Sequence, residues 1–312
     1  MLQFDRLKLI TSSQNITNLN HTKFLETPMK QGDYYYKYQQ TSPFSLTIIN
    51  NPSKSELVID FTGKVLKDDY PSLISRETIR QCLDNICTMN ICDLDIDAIL
   101  ENSKVCLCDV TQDIACNYPM EEIKRHIKAS IKNYDKWLVK NCKNNGLIIS
   151  NSVTTQRRSK RFVIYDKTNE MKRAENRGFL ACVDNLSALL HQFDGKVRLE
   201  LNLHSMELVR NYLHISDNQL QAVLNSTSNP ILEVYDEAIT ETIPINGAVY
   251  NKAEKLALLE QCNYDLQAVE MRIREQTPKT SSIRRKMEPY RLLLQSIQTA
   301  EVKPMNIRKL IA

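Results

Sequence analysis

The stretch KVRLELNL, from Lys196 to Leu203, predicts a β-strand with one apolar and one polar face. Its odd-numbered residues are all apolar, whereas Arg198, Glu200 and Asn202 occupy even positions. Successive side chains of a strand point to opposite faces, so one face is predicted to be buried and the other to carry polar groups. Such alternation is typical of an antiparallel sheet that packs one face on a core.

Two further candidate strands place polar side chains at alternate positions. In VCLCDVTQDI, which starts at residue 105, Asp109 and Asp113 share a face, and in RFVIYDK, which starts at residue 161, Tyr165 and Lys167 do so. If both strands lie beside KVRLELNL, these four groups converge with Glu200 on one face of the sheet.

The remaining sequence predicts an α+β fold. Short strand patterns fill the first sixty residues, helical periodicity appears at 76–90 and 120–141, and helical patterns dominate after about residue 205. We therefore predict a mostly antiparallel central sheet flanked by helices and followed by a smaller helical C-terminal region. The predicted domains are an α+β domain at 1–208 and a helical domain at 209–312, with the boundary near 205–215.

Composition is that of a soluble globular protein, with 42% hydrophobic and 25% charged residues among 312. No apolar run is long enough to span a bilayer and no signal-peptide core is evident, which predicts a cytoplasmic protein without membrane contact. The nine cysteines have no framework spacing, so we expect free thiols.

Positive charge is concentrated at 157–177 and 284–309. Local basic patches are the electrostatic footprint of a polyanion partner, although a merely solvated face explains charge density equally well. The candidate contacts for such a partner are Arg157, Arg158, Lys160, Arg161 and Arg198.

The residue types on the polar face suit phosphodiester chemistry. Carboxylates are the ligands that Mg²⁺ and Mn²⁺ prefer, and such sites leave positions open for substrate phosphate. A tyrosine hydroxyl, a weak nucleophile at its ordinary pKa, needs a metal, a base or a cation to attack phosphorus. Ordinary cross-strand ion pairs on a wet sheet face are the alternative, and the pattern alone leaves both open.

Three motifs in order resemble the rolling-circle replication initiators of filamentous phages and the related small-plasmid and satellite-phage initiation factors. The matching residues are Asp109 and Thr111 in CDVT, Tyr165, Lys167 and Glu170 in YDKTNE, and Arg198 and Glu200 in RLE. One departure is Leu107, where the family often has an arginine. The resemblance covers residues 100–205 by motif and leaves the C-terminal hundred residues untouched.

The resemblance implies a protein that nicks and rejoins origin DNA to start rolling-circle replication. Tyr165 would be the nucleophile, Asp109 and Glu200 would help hold Mg²⁺ or Mn²⁺, and Lys167 would assist at the scissile phosphate. Implied partners are single-stranded or supercoiled origin DNA, with a host helicase and further copies of the chain as open questions. The alternatives are a non-catalytic DNA-binding regulator of a plasmid or phage and a mobilisation relaxase.

Two other features have two interpretations each. The cluster YYYKY at 34–38 could stack on unpaired bases, but inward packing of a strand is favoured. His204, just past the Glu200 strand, could approach the site, although a surface or capping role is more usual for such a histidine.

Overall fold

A computed structural model describes most of the chain. The described residues are 2–29, 33–132, 136–142, 145–151, 160–240, 255, 258–259, 261–275, 283–300 and 305–312.

Twelve strands are present among the described residues. In chain order they are β1 (Phe4–Ser12), β2 (Ile16–Leu19), β3 (Leu25–Pro28), β4 (Tyr34–Gln40), β5 (Leu46–Asn51), β6 (Glu56–Thr62), β7 (Cys92–Leu94), β8 (Lys104–Ala115), β9 (Trp137–Cys142), β10 (Gly146–Asn151), β11 (Arg161–Asp166) and β12 (Lys196–Leu203).

Ten of these strands form one sheet in the order β3-β4-β5-β6-β1-β8-β12-β11-β10-β9, and β2 pairs separately with β7. Every neighbouring pair is antiparallel. The strand KVRLELNL, β12, lies between β8 and β11, which meets the condition under which the polar residues of the three strands share one face. The α+β class with a mostly antiparallel central sheet and a helical C-terminal region is therefore confirmed.

Helices fill the intervals between strands and most of the described C-terminal region. They are α1 (Ile79–Cys87), α2 (Ile96–Asn102), α3 (Met120–Ala129), α4 (Lys167–Met171), α5 (Arg177–Leu180), α6 (Leu186–Gln192), α7 (Met206–Leu213), α8 (Leu220–Leu224), α9 (Pro230–Ala238), α10 (Leu266–Glu275), α11 (Ile283–Ala300) and α12 (Ile307–Ile311). None of the helices in the described ranges is long and apolar enough to cross a membrane.

The predicted long helix at 120–141 is wrong in its second half. Helix α3 ends at Ala129, and Trp137–Cys142 forms the edge strand β9. β9 forms a hairpin with β10, in which Cys142 pairs with Gly146 and Trp137 with Asn151. The apolar spacing fitted a helix, but hydrogen bonding to a neighbouring strand, which periodicity cannot reveal, decided the conformation.

The chain divides into two compact units whose limits differ from the single boundary predicted near 205–215. The first contains Met1–Asn117, Asn133–Glu237 and Arg308–Ala312, and the second contains Tyr118–Lys132 and Ala238–Ile307. Helices α7 and α8 belong to the first unit because they pack against β8.

The two faces of the large sheet differ in character. One face buries apolar side chains completely, including Leu199 and Leu201 of β12 and Phe162 and Ile164 of β11. The opposite face carries the polar residues of the same strands, and we call it the polar face. Tyr165 lies on it near the end of β11, where β11 and β10 approach very closely.

Gly146 of β10 is required by that close approach. A Cβ atom at this position would lie 2.3 Å from the carbonyl oxygen of Ile164 and 2.6 Å from the Cβ of Tyr165. Neither atom can move without shifting the strand. We expect Gly146→Ala to lower the free energy of unfolding by about 1–3 kcal/mol, the usual cost of overpacking, as measured by chemical denaturation.

Gly63→Ala is the matched control for this substitution. At Gly63 an added Cβ would meet its nearest atoms, ring carbons of Tyr70, at 3.5 Å, which is ordinary contact. Its stability should stay close to that of the wild type. Equal stability losses in the two variants would contradict the close approach at Gly146.

Candidate active site

The register of the central strands arranges the polar face in rows, because cross-strand partners point to the same side of a sheet. The three rows across β11, β12 and β8 are Tyr165, Arg198 and Asp113; Val163, Glu200 and Thr111; and Arg161, Asn202 and Asp109. Tyr165, Glu200 and the two aspartates therefore lie on one face of the sheet, on the predicted strands, whereas Lys167 of the predicted set begins a helix.

Tyr165 and Glu200 form a direct pair at the centre of these rows. The tyrosine hydroxyl donates a hydrogen bond to Oε1 of Glu200 over 2.5 Å. The residues are diagonal neighbours on adjacent strands, which is within reach of long side chains. Only 5% of Tyr165 is exposed, whereas Glu200 is half-buried. Glu200 is thus the group placed to accept the proton of this tyrosine.

The environment holds both groups towards their neutral forms. Burial, with the nearby charge of Asp5 second, raises the pKa of Glu200 to about 7, although Arg198 acts in the opposite direction. Burial and the charge of Glu200 raise the pKa of Tyr165 well above its ordinary value. The Tyr165 hydroxyl needs an additional positive charge nearby before it becomes a good nucleophile.

A buried arginine anchors the floor of the site. Arg198 has no exposed surface, and its guanidinium binds Asp113 through Nε and Nη2 at 2.6 and 2.7 Å. Its Nη1 donates to Oδ1 of Asp5 at 3.0 Å and to the hydroxyl of Tyr70 at 2.8 Å. Tyr70 in turn donates to Asp5 over 2.8 Å. Arg198 is therefore compensated by two carboxylates and a phenol.

Asp5 and Tyr70 are the site residues that sequence reasoning missed. Asp5 falls at a β-bulge, where the register of β1 against β8 shifts between Phe4 and Arg6. A bulge re-aims a side chain, and no pattern in the first strand marks one. Tyr70 lies in the 3-10 segment Gly63–Ser72. Its hydroxyl contacts residues far along the chain, and local sequence patterns give no signal for such long-range contacts.

Lys167 lies at the site, but its conformation differs from the prediction. It is the first residue of α4, because Asp166 ends the strand and caps the helix by accepting from the backbone N–H of Asn169 at 2.9 Å. Only 1% of Lys167 is exposed. Its Nζ donates to Glu170 at 2.6 Å and to Tyr70 at 2.9 Å, so it is a buried ion-pair partner rather than a solvent-facing cation.

Glu170 joins this buried network from the next turn of α4. Asn176 donates to its Oε1 at 3.0 Å, and Lys64 lies 3.8 Å away. Burial alone would raise the pKa of Glu170, but the charges of Lys167 and Lys64 and these hydrogen bonds outweigh it and lower the pKa to about 2. The carboxylate is therefore ionised at any ordinary pH.

Asp109 has the features of a carboxylate without a strong partner. Its Oδ1 is buried, accepts no hydrogen bond, and lies 3.5 Å from Nε2 of His204, the histidine singled out from the sequence. Among the described residues no group of three or more His, Cys, Asp and Glu side chains has the arrangement of a metal cage. A Mg²⁺ site that uses one or two carboxylates, with water and phosphate as the other ligands, would draw on Asp109 and Glu200.

The predicted DNA contacts divide into three groups. Arg161 is exposed at the start of β11. Lys160 is buried, binds Tyr212 and Glu237, and lies 5.1 Å above the Trp137 ring, while Arg198 is fully buried as described. Because Lys160 and Arg198 are buried and paired within the protein, the prediction that they contact DNA directly is wrong for this structure. Arg157 and Arg158 lie outside the described residues.

Comparison with known proteins gives no family assignment. No protein-family model matches the chain, and no curated protein matches it significantly. The resemblance to rolling-circle initiators thus rests on the three motifs and remains a prediction.

The depressed pKa of Glu170 predicts a pH-dependent contribution to stability. A carboxyl with an ordinary value of 4.5 and a folded value of about 2 stabilises the fold above pH 4.5, and this stabilisation is lost as pH falls towards 2. We expect Glu170→Gln to lower the free energy of unfolding at pH 7 by about 3 kcal/mol, and the difference from wild type to shrink at pH 3. Urea denaturation at both pH values measures this.

Glu175→Gln is the matched control, because Glu175 pairs with Arg173 at the surface and is 69% exposed at its side chain. Its effect should stay below about 0.5 kcal/mol at both pH values. A Glu170→Gln difference that is the same at pH 7 and pH 3 would show that the ionised carboxylate is not the source of the stabilisation.

Proposed function

We propose that the chain is a metal-dependent DNA nicking and joining enzyme that starts rolling-circle replication, with Tyr165 as its nucleophile. The observation that carries this proposal is the 2.5 Å hydrogen bond from Tyr165 to Glu200, on the face that also carries Asp109, whose buried Oδ1 accepts no hydrogen bond. The order of the CDVT, YDKTNE and RLE motifs supports it.

The reaction is a balanced transesterification. The Tyr165 oxygen attacks the scissile phosphorus, its proton passes to Glu200, and the bond between phosphorus and the 3′ oxygen breaks. The products are a 5′ phosphotyrosyl linkage and a free 3′ hydroxyl, whose oxygen takes a proton from solvent as it leaves. One phosphodiester has replaced another, so the reverse attack by a 3′ hydroxyl rejoins the strand without an external energy source.

Asp109 and Glu200 are the residues that would hold Mg²⁺ or Mn²⁺, with His204 close to Asp109. Such a cation, when bound, polarises a phosphate oxygen and stabilises negative charge that develops during the transfer. The buried Oδ1 of Asp109 is the observation that favours a ligand here, since a buried carboxylate oxygen that accepts no hydrogen bond is costly.

Lys167 and Arg198 have positioning roles in this proposal. Both are buried and bind Tyr70, and Lys167 Nζ lies 5.9 Å from the centre of the Tyr165 ring. Arg198 is the direct cross-strand partner of Tyr165. They hold the strand ends that carry Tyr165 and Glu200, and the direct contact of Lys167 with the scissile phosphate, predicted from the resemblance, needs a rearrangement of α4.

The second candidate is a non-catalytic DNA-binding regulator. The observation that favours it is the burial of Tyr165, Lys167 and Arg198, which a purely structural ion network would also produce. A relaxase that mobilises DNA would use the same tyrosine chemistry, so it differs from a replication initiator in its substrate and partners.

Replacing the nucleophile is the sharpest test. Tyr165→Phe keeps the ring and removes the attacking oxygen, so cleavage of the cognate supercoiled replicon with Mg²⁺ or Mn²⁺ should fall by about 10³-fold or more while DNA affinity is retained. Because the hydroxyl is bonded to half-buried Glu200, we also expect a stability loss of about 1–2 kcal/mol. Nicking assays and denaturation give the two values.

Mapping the covalent adduct separates the candidates. A labelled single-stranded origin oligonucleotide should become attached to the peptide that contains Tyr165, as seen by mass spectrometry. An adduct on Tyr70 or Tyr212 would contradict the assignment within the same enzyme class. Binding of the replicon without any cleavage by the wild type would favour the regulator.

Removing the site carboxylates should abolish cleavage without weakening DNA binding. Asp109→Asn and Glu200→Gln are expected to abolish cleavage at every Mg²⁺ concentration and to leave duplex affinity within about twofold, because phosphate contacts by Lys and Arg supply most of that affinity. Glu207→Gln, at an exposed position in α7, is the matched control and should cleave normally. Full activity in both site variants would place the metal elsewhere.

A further inference from the structure

The polar face extends far beyond the Tyr165 site. The row through Asp109 continues to Arg6 of β1 and Thr62 of β6. The next row runs from Leu107 through Lys8 and Asp60 to Thr47 and Gln39, and the one after it joins Lys104, Ile10, Val58, Ile49, Lys37 and Leu25. One continuous surface therefore connects β11 with the β3–β4 edge of the sheet, within a single compact unit.

Register also divides the tyrosine cluster at 34–38. Tyr36 and Tyr38 share a face with buried Ile48 and pack against His21 and Phe24, with ring centroids 5.3 and 5.8 Å apart. Tyr35 alternates with them and therefore lies on the polar face beside Lys37. Inward packing, the favoured interpretation of YYYKY, therefore holds for Tyr36 and Tyr38.

The distal part of this face remains accessible. Lys8, Ile10, Tyr35, Lys37 and Ile49 all keep partial exposure, in contrast to the completely buried side chains of the opposite face. Leu25 at the edge is 74% exposed. Arg6, paired with Asp60 at 2.7 Å, contributes no net charge, so the excess positive charge comes from the lysines.

We propose that the polar face from β11 to β4 is a track for single-stranded DNA, in which Lys8 and Lys37 contact phosphates and Tyr35 stacks on a base. The assignment rests on the proposed function only for the direction of the strand towards Tyr165. In this proposal, exposed Arg161 lies at the β11 end of the track, on the same strand as Tyr165.

The mixture of side chains favours a single strand over a duplex. Unpaired bases stack on aromatic and aliphatic surfaces while cations follow the backbone, which is the combination that Tyr35, Ile49 and Lys37 present. A duplex hides its base faces and is held mainly by a dense array of phosphate contacts, whereas this face also carries Asp60 and Asp109.

The length of the track suits an oligonucleotide. Six strand spacings separate β4 from β11, which at about 4.8 Å each gives about 29 Å. A bound strand of several nucleotides is therefore long enough to reach from Tyr35 on β4 to exposed Arg161 on β11, while a very short one at the β11 end cannot reach β4.

The test measures binding of labelled oligothymidylate to the full chain by fluorescence anisotropy. Tyr35→Leu removes the aromatic ring but keeps apolar bulk, and affinity for an oligonucleotide of about 15 nucleotides should fall about tenfold. Lys8→Gln and Lys37→Gln should each reduce the slope of log affinity against log salt by about 0.7, the value for one lost phosphate contact with a single strand.

Matched controls exist on the same segments. Tyr34 is 47% exposed on β4 but lies on the other face, so Tyr34→Leu should bind normally, as should Lys54→Gln at an exposed turn. An oligonucleotide of about 4 nucleotides should bind the wild type and Tyr35→Leu with equal affinity when its concentration is raised far enough to reach saturation. Circular dichroism confirms that each variant is folded.

The outcomes separate this proposal from the proposed function. Tyr165-dependent cleavage with unchanged binding in the Tyr35, Lys8 and Lys37 variants would overturn the track alone. Loss of binding in those variants without any cleavage by wild type would support the track and refute the nickase. Equal losses of affinity in the Tyr34→Leu and Lys54→Gln controls would overturn the track. So would a duplex of the same length whose binding is weakened equally by the Tyr35, Lys8 and Lys37 substitutions.

Discussion

The buried charge of Arg198 is the constraint on which the site depends. A guanidinium without solvent contact is strongly destabilising unless its donors meet acceptors, and carboxylates are the partners that compensate its charge. Asp113 supplies a two-point contact from the neighbouring strand, while Asp5 and Tyr70 come from the beginning of the chain. The N-terminal strands, β8 and β12 must therefore assemble together, because removing any partner leaves a buried charge unpaired.

This network gives the polar face two different ends. At the end with Arg198, Lys167 and Glu170, opposite charges are paired and buried, so the side chains are fixed. Towards β4 the lysines are partly exposed and alternate with apolar groups. Tyr165 lies in the same row as Arg198 and is buried, whereas Glu200, one row towards Asp109, is half-buried.

Sequence alternation predicted much of this arrangement, since the parity of KVRLELNL, VCLCDVTQDI and RFVIYDK correctly placed Glu200, Asp109 and Tyr165 on one face. It failed where geometry depends on residues distant in the chain. Asp5 enters through a bulge, and residues 137–142 became a strand by pairing with β10. The cap at Asp166 is a local signal for the helix start at Lys167 that alternation did not weigh. The burial of Lys167 and Arg198 was not predicted, because charged residues are usually exposed.

Glu200 distinguishes the catalytic interpretation from the structural one most clearly. Arg198 already has its carboxylates in Asp113 and Asp5, so a third one is not needed to compensate it. Glu200 instead lies near Asp5, whose negative charge disfavours its ionised form. A glutamine would accept the hydrogen bond of Tyr165 without this repulsion, and a structural network would lose little by having one. An amide, however, cannot take the proton of the tyrosine, and a carboxylate can, so the presence of a glutamate at this position favours a face that does chemistry.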